Sequence, residues 1–297
     1  MKHSSFLLAI TLLFASCGNN KFSHDASGTF EATEIILSSE VQGKVKELNI
    51  QEGDWLEKGQ YLGYIDTTQL YLKKLQLETA IKALKAGKPS VEIQIASLRE
   101  QLVKAEREYD RVLRLYKGGA ATEKQLDDAK AQADVLQKSI DAQNSMLSKS
   151  VGSLDEEINT YKIQVEQVED MLAKSRIYSP VDGRVLNKYI EASELAGAGT
   201  PLFKIADTRN LFIRIYVVGA QLEGIKLGQD VKVFTNESIK KSQYYRGAVA
   251  WISDKAEFTP KTIQTKDERE NLVYAVKVAV KNADGLLKIG MYGDVNF

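Results

Sequence analysis

The sequence contains an internal repeat. Residues 39–65 (SEVQGKVKELNIQEGDWLEKGQYLGYI) align without gaps to residues 179–205 (SPVDGRVLNKYIEASELAGAGTPLFKI), at an offset of 140. Both copies alternate apolar and polar residues between glycines, as is typical of half-buried strands joined by tight turns. One copy buries too little apolar surface to fold alone. We therefore predict that the two copies pack on each other as one pseudo-symmetric β-domain.

Each copy resembles half of the small β-domain that carries biotin or lipoate on a lysine. Such a carrier displays the lysine on an exposed hairpin turn. Lys58 precedes a turn glycine and Lys204 lies within a strand pattern, so neither copy provides that turn. We therefore expect no cofactor, and a biotin or lipoate carrier is a disfavoured function.

The segment between the copies, residues 67–175, has a different pattern. It is rich in Lys, Glu, Gln, Leu and Ala, and its apolar residues recur in the 4-3 steps of a heptad seam on both sides of Lys117-Gly118-Gly119-Ala120. This pattern predicts two antiparallel helices joined by a glycine turn. About 50 residues at 1.5 Å each give an arm of roughly 75 Å.

Both predicted helices weaken at matched distances from the turn. Gly87 and Pro89 lie about thirty residues before it, and Gly152 lies about thirty after it, beside a shift of the seam. Matched positions favour a break or bend across both strands of the arm over two unrelated helix defects.

Residues 207–297 return to strand patterns. Five alternating runs separated by glycine turns predict a small antiparallel β-barrel. The predicted fold class is thus an elongated multidomain α+β chain. Its parts are a signal peptide (1–17), a lipoyl-like first half (28–66), a helical hairpin (67–175), the lipoyl-like second half (176–206) and the barrel (207–297).

The N-terminal sequence MKHSSFLLAITLLFASC is typical of a cleaved export signal. Its apolar run, residues 6–14, is too short to span a bilayer as a helix. The small residues before Cys17 resemble a bacterial lipoprotein signal, in which the cysteine becomes the acylated first residue. A plain secretory signal is the alternative. Cys17 is the only cysteine, so lipidation would leave no unpaired thiol in an oxidising compartment.

Composition disfavours several classes of function. Forty basic and forty acidic side chains cancel, so nucleic acid is not an expected partner. Two histidines do not provide a histidine metal site or a histidine base. The sequence contains neither a phosphate loop nor a Gly-x-Ser-x-Gly elbow, and its carboxylates are dispersed along helices. We therefore do not expect an enzyme.

The order of half motif, helical hairpin, half motif and barrel resembles the HlyD or membrane fusion protein family, the periplasmic adaptors of bacterial export systems. The resemblance covers essentially the whole mature chain. It is carried by EVQGKVKELNIQEGDWLEKGQ in the first half, by IYSPVDGRV opening the second, and by FTPKTIQTKDERENLVYAVKV with DGLLKIGMYGDVNF in the barrel.

The resemblance implies docking residues at the hairpin tip. In the family an arginine, a leucine four residues later and a serine seven residues after that dock on an outer-membrane channel of the TolC kind. Arg111, Leu115 and Thr122 have this spacing, with threonine replacing serine. Thr122 is also a predicted N-cap with Gln125 as its capping-box partner. Ordinary surface, seam and cap roles are the alternatives.

The resemblance also implies a homo-oligomer, usually a hexamer, above an inner-membrane transporter. The short layout favours an ABC-type permease with its ATPase, and an RND-type pump is the alternative. The expected location is the periplasm, with the lipid in a membrane, by preference the inner one. A structural coiled-coil lipoprotein that only spaces two surfaces is the rival from another class.

Overall fold

The computed structural model describes residues 24–235, 244–257 and 272–297. They form a split β-domain of two packed sheets, a helical hairpin inserted into it and a closed barrel, and this architecture confirms the predicted fold class. The predicted signal peptide with Cys17 lies outside the described residues. So do residues 258–271, which hold most of the barrel motif FTPKTIQTKDERENLVYAVKV.

After β1 (Ala26–Glu31), which belongs to the barrel, the split lipoyl-like domain consists of two four-stranded sheets. Their orders are β2-β9-β7-β4 and β6-β5-β3-β8. Each strand of one sheet has an equivalent in the other sheet at a distance of 140 residues along the chain. The strands are β2 (Glu34–Ser38), β3 (Gly43–Leu48), β4 (Trp55–Leu56), β5 (Tyr61–Ile65), β6 (Arg176–Tyr178), β7 (Gly183–Lys188), β8 (Leu195–Ala196) and β9 (Pro201–Ala206).

Hydrogen bonds between the halves obey the same symmetry. The Val45 amide donates to the Glu194 carbonyl at 2.8 Å, and the equivalent Val185 amide donates to the Asp54 carbonyl at 2.9 Å. Apolar side chains of both halves form one buried core. The predicted packing of the two copies into one pseudo-symmetric domain is therefore confirmed.

The insert forms three helices, α1 (Thr68–Ala86), α2 (Val91–Lys117) and α3 (Glu123–Lys174). The 52 residues of α3 give an arm about 78 Å long. Both α1 and α2 pack along α3. Six of the most deeply buried residues follow the predicted seam, namely Ile95, Val112, Ile140, Leu147, Ile158 and Val168, and Leu77 of α1 is buried as well.

The arm is broken only in the segment that runs from the lipoyl-like domain to the tip. Helix α1 ends before Gly87, and α2 begins after Pro89. The predicted break at Gly152 is wrong, because α3 runs through it without interruption. Glycine in a helix interior costs about 1 kcal/mol, whereas proline removes a donor and clashes with the preceding turn at a cost of about 3 kcal/mol. The buried Leu147 and Ile158 pack on either side of Gly152 and offset the smaller cost.

The barrel closes with six strands in the order β1-β10-β13-β12-β11-β14. Alternate residues of each strand point into one apolar core. Between β10 and β11 lies a single helical turn, α4. The elements are β10 (Asn210–Val218), α4 (Gly219–Leu222), β11 (Asp230–Phe234), β12 (Tyr245–Ile252), β13 (Val273–Lys281) and β14 (Tyr292–Asn296).

The sixth strand corrects the predicted domain boundary. The sequence pattern predicts residues 28–31 in the lipoyl-like half, but β1 pairs with β10 and β14 of the barrel. Phe30 is fully buried in the barrel core opposite Ile213, and this burial fixes β1 there. The first lipoyl-like strand is instead β2, which begins at Glu34.

The barrel and the hairpin leave the lipoyl-like domain at opposite ends. Strand β2 follows the barrel, and its far end, residues 38–40, lies beside Lys174 and Arg176 at the root of the hairpin. At the barrel end the Arg209 guanidinium lies 3.8 Å from the centroid of the Trp55 ring, a cation–π contact between the two parts. No helix among the described residues is both long and apolar enough to cross a membrane.

Candidate partner-docking site at the hairpin tip

The tip of the arm is a tight turn that is closed by backbone hydrogen bonds. At the end of α2 the Ala120 amide donates to the Leu115 carbonyl at 2.8 Å, and the Gly119 amide donates to the Tyr116 carbonyl at 3.0 Å. This pair of bonds is a Schellman motif, and it requires the left-handed φ of +72° that Gly119 adopts. The turn therefore holds the adjoining ends of α2 and α3, which carry the predicted docking residues, in a fixed arrangement.

Thr122 begins the returning helix, as the sequence predicts. Its hydroxyl accepts a hydrogen bond from the Gln125 amide at 3.3 Å, and the Gln125 side-chain oxygen accepts one from the Thr122 amide at 2.8 Å. The predicted capping box is confirmed. The same hydroxyl lies 3.1 Å from the Gln125 side-chain oxygen and donates to it. A partner can therefore reach only the remaining lone pair of this hydroxyl.

Arg111 is exposed and already has a carboxylate partner one turn back. Its Nε donates to Glu108 Oε2 at 2.9 Å, and its Nη2 donates to Glu108 Oε1. These hydrogen bonds raise the pKa of Arg111 and lower the pKa of Glu108. Two of the five guanidinium N–H groups are engaged, so both hydrogens of Nη1 and one of Nη2 stay available to an acceptor.

Leu115 lies one turn beyond Arg111 on the same face of α2, with 40% of its surface exposed. The sequence pattern places Tyr116 in the seam, but the structure leaves it equally exposed because the seam ends at the turn. Tyr116 is thus a tip residue that the sequence did not reveal. Exposed leucine and tyrosine on a rigid turn supply apolar area for a partner.

A sequence model of the family described as "RND MFP, barrel-sandwich hybrid domain" matches residues 34–208. This span contains both lipoyl-like halves and the hairpin between them, and it exceeds half of the chain. The chain belongs to the membrane fusion protein family. The predicted family resemblance is confirmed, and the protein is an adaptor of export systems.

Curated relatives of this membrane fusion protein include the "UPF0194 membrane protein YbhG" of Salmonella agona (strain SL483) and that of Salmonella typhi. Each is 26% identical over 293 residues, and the match covers 91% of this chain and 87% of the relative. The similarity therefore extends beyond the span of the family model into the barrel.

Solved structures share the fold. MacA from Actinobacillus actinomycetemcomitans has a TM-score of 0.57 at 22% identity, and the match covers 91% of this chain and 76% of MacA. The membrane fusion protein Spr0693 from Streptococcus pneumoniae R6 has a TM-score of 0.52 at 17% identity, with coverage of 91% and 96%. At identities this low, the two matches show only that this membrane fusion protein has the same fold as these structures.

The remaining predicted site residues lie away from the tip. Gly87 and Pro89 form the break between α1 and α2, about 40 Å from the turn along α2. Gly152 lies inside α3. Beside the break, Lys88 of this membrane fusion protein forms an ion pair with Asp155, which ties the connecting segment to α3. The break is therefore a separate feature of the arm and not a part of the docking site.

Proposed function

We propose that this membrane fusion protein links an inner-membrane exporter to a TolC-like outer-membrane channel. The observation that carries the proposal is the hairpin tip. A Schellman motif and a capping box fix Leu115 and Thr122 at the end of an arm about 78 Å long, and Arg111 lies one helical turn before Leu115. An arm of this length reaches far from the barrel, and the barrel would engage the transporter at the other end.

Docking would use the tip as a small, preorganised patch. The free N–H groups of Arg111 bind acceptor oxygens on the channel, and Leu115 supplies an apolar contact. Thr122 contributes one acceptor lone pair and keeps the turn rigid through its cap. Each hydrogen bond from a charged group contributes about 1.5–3 kcal/mol. Several copies docking together would multiply this modest contribution.

The test is the substitution Arg111→Asp in the full chain, with Arg99→Asp as the matched control. Arg99 is an exposed arginine on the same helix, three turns further from the tip. We expect Arg111→Asp to reduce co-purification of the channel by at least tenfold, equivalent to about 1.4 kcal/mol, and to abolish export. Arg99→Asp should behave as the wild type. Circular dichroism should show the same helix content in both variants.

Normal export by Arg111→Asp at normal abundance would contradict docking at the tip. It would favour the rival function, a coiled-coil lipoprotein that spaces two surfaces without a specific contact. Equal loss in Arg99→Asp would instead indicate a general effect of charge on the arm.

The proposed transporter is an ABC-type permease with its ATPase, as expected from the sequence, and several copies of the adaptor, by family resemblance six, surround it. The name of the matching family model keeps an RND-type pump as the alternative. Export that stops with vanadate, which blocks ABC ATPases, and persists when a protonophore collapses the proton gradient would support the ABC assignment. The opposite pattern would overturn it.

Cys17 is the proposed lipid anchor, with the mature chain held on the periplasmic face of the inner membrane. Mass spectrometry of the mature N-terminus should find a diacylated cysteine. Cys17→Ser should leave the chain unprocessed, because the lipoprotein signal requires the thiol. A mature chain that begins elsewhere and lacks lipid would favour a plain secretory signal.

A further inference from the structure

Three cations lie side by side on the outer surface of the barrel, and we name them the basic row. Lys232 on β11 is directly opposite Arg246 on β12. Lys281 on β13 flanks Arg246 on its other side, one step beyond the pairing of Gly247 with Val280. Neighbouring strands are about 4.8 Å apart, so the three residues span roughly 10 Å across the sheet.

The positive charge of the basic row is not neutralised by the protein. The three side chains are exposed, because the strand neighbours Val231, Gly247 and Val280 are the residues that point into the barrel. Among the residues that the structure describes, none of the three cations forms an ion pair with a carboxylate. The Lys232 ammonium lies instead 5.2 Å from the centroid of the Tyr244 ring. Like charges directly opposite each other in a sheet are destabilising, and a bound anion would remove that cost.

A groove begins at the basic row and has an apolar floor. The floor is formed by Ala248 and Ala279, which are opposite each other in β12 and β13. On one side Phe212 is paired with Ala279, and on the other side Asp230 is paired with Ala248. The two short alanine side chains leave a depression between these larger neighbours. Its volume of about 480 Å³ lies within the range of small-molecule sites.

The groove continues past Phe212 into a second depression of about 460 Å³. Ala250 and the Trp251 ring line this second depression, and 42% of the surface of Trp251 is exposed. Lys277 lines it as well and lies four residues before Lys281 on β13, which corresponds to about 13 Å along the strand. We name the two depressions together the barrel groove.

The cations of the second depression are neutralised, unlike those of the basic row. Arg214 Nη2 donates to both carboxylate oxygens of Glu257, at 2.9 and 3.1 Å. The Lys277 ammonium lies 3.9 Å from the Glu31 carboxylate. Asp230, the carboxylate that lines the first depression, forms no ion pair among the described residues. The barrel groove therefore has unpaired positive charge at one end, an alanine floor, and a tryptophan with paired charges at the other end.

We propose that the barrel groove binds an anionic amphiphile with a phosphate head and an aliphatic chain. A phosphate carries up to about two negative charges and three acceptor oxygens, so it can contact more than one cation of the basic row. The Arg246 guanidinium offers it several N–H donors. The chain lies on Ala248 and Ala279 and extends toward Trp251. A soluble anion would gain nothing from the alanine floor, and an uncharged lipid would leave the basic row unpaired.

The test measures the binding of dodecyl phosphate to the full chain in a maltoside detergent, which has an uncharged head. The fluorescence of Trp251 reports binding in a Trp55→Phe background, which removes the other tryptophan. We expect a saturable change with dodecyl phosphate. Inorganic phosphate lacks the chain, and dodecylphosphocholine carries an ammonium group that neutralises its head. Both should bind at least about tenfold more weakly.

Substitutions locate the two parts of the ligand. Arg246→Gln combined with Lys281→Gln should weaken the binding of dodecyl phosphate at least about tenfold. The control combines Lys255→Gln with Lys288→Gln, which removes the same charge from exposed lysines outside the barrel groove and should leave binding unchanged. Ala248→Leu fills the floor without changing the charge, and it should weaken the binding of dodecyl phosphate as well.

Each alternative result overturns a defined part of the proposal. Equal affinity of the two double variants would show that the basic row does not hold the head. Inorganic phosphate that binds as tightly as dodecyl phosphate would show that the floor does not hold a chain. Dodecylphosphocholine that binds as tightly would show that the head need not be an anion. None of these results bears on docking at the hairpin tip, because binding is measured on the isolated chain.

A membrane phospholipid and an exported molecule both fit this chemistry, and the lipids that co-purify with the chain distinguish them. Mass spectrometry should find a phosphate-bearing amphiphile that is lost from the Arg246→Gln, Lys281→Gln variant. An abundant membrane phospholipid would identify the surrounding membrane as the source, and an amphiphile that is rare in the membrane would identify an exported molecule. The same acidic lipids in the variant and the wild type would overturn a natural ligand in the barrel groove.

Discussion

The turn at Ser193 is strained, and its equivalent in the other half is relaxed. Among the described residues, Ser193 is the non-glycine residue with a positive φ, +81°. Its equivalent in the first half is Gly53, with φ +94°. Both turns make the same bond, from the Ser193 amide to the Val45 carbonyl at 2.7 Å and from the Gly53 amide to the Val185 carbonyl at 2.8 Å. The fold therefore requires this conformation in each half.

We expect Ser193→Gly to stabilise the lipoyl-like domain. A residue with a Cβ costs about 1–2 kcal/mol in the left-handed region. Glycine also increases the conformational entropy of the unfolded chain, and this offsets about 0.4–1 kcal/mol of the gain. The free energy of unfolding should rise by about 0.5–1 kcal/mol. The reverse change, Gly53→Ala, should lower it by a similar amount, because a Cβ at Gly53 would have no heavy atom within 4 Å and would add only strain.

Urea unfolding followed by tryptophan fluorescence measures this change. The chain has two tryptophans, Trp55 in the lipoyl-like domain and Trp251 in the barrel, so a Trp251→Phe background isolates the domain of interest. With a slope of about 1 kcal/mol per M for a small domain, the midpoint should move by about 0.5–1 M, upward for Ser193→Gly and downward for Gly53→Ala. An unchanged or lower midpoint for Ser193→Gly would refute the reasoning.

Three further substitutions test other parts of the chain. Hydrogen bonds from Thr68 lower the pKa of Asp66 to about 2. The ionised Asp66 carboxylate therefore stabilises the hairpin root fully above the ordinary pKa of the group, and this stabilisation is lost as the pH falls through about 2. Asp66→Asn should remove this pH dependence of the free energy of unfolding, measured by unfolding curves between about pH 5 and 2. Gly152→Ala should raise the thermal midpoint of helix melting by a gain of about 1 kcal/mol, whereas a functional hinge there would lose export. Gly28→Ala should disrupt the barrel, because its Cβ would lie 1.9 Å from the Arg214 carbonyl oxygen, and a normally folded variant would contradict the place of β1.

Local signals account for what the sequence predicted well. The heptad seam, the capping box at Thr122 and the glycine turn after Lys117 each depend on residues within a few positions of one another. The repeat is a long-range signal, but it is explicit, since 140 residues separate identical glycines at 43 and 183. These signals were sufficient to predict the fold class and the position of the hairpin turn.

Pairings between distant residues account for what the sequence missed. The strand around Phe30 joins β14, more than 260 residues later, and no local pattern distinguishes it from the neighbouring lipoyl-like strand. The ion pair between Glu108 and Arg111 was open to prediction from its three-residue spacing, but charged pairs on helix faces are so common that spacing alone does not single one out. The exposure of Tyr116 depends on where the seam ends, which only the geometry of the turn reveals.

The internal repeat also explains how one small domain connects to the hairpin at one end and to the barrel at the other. In one half β5 runs into the hairpin, and in the other its equivalent β9 runs into the barrel. The pseudo-symmetry that unites the halves therefore places an arm at one end and a barrel at the other, with a shared core between them. Because that core is built twice from the same pattern, the two exits can differ while the packing inside stays the same. In the proposed function the arm would meet the channel and the barrel would meet the transporter, so the two contacts would lie at opposite ends of one shared core.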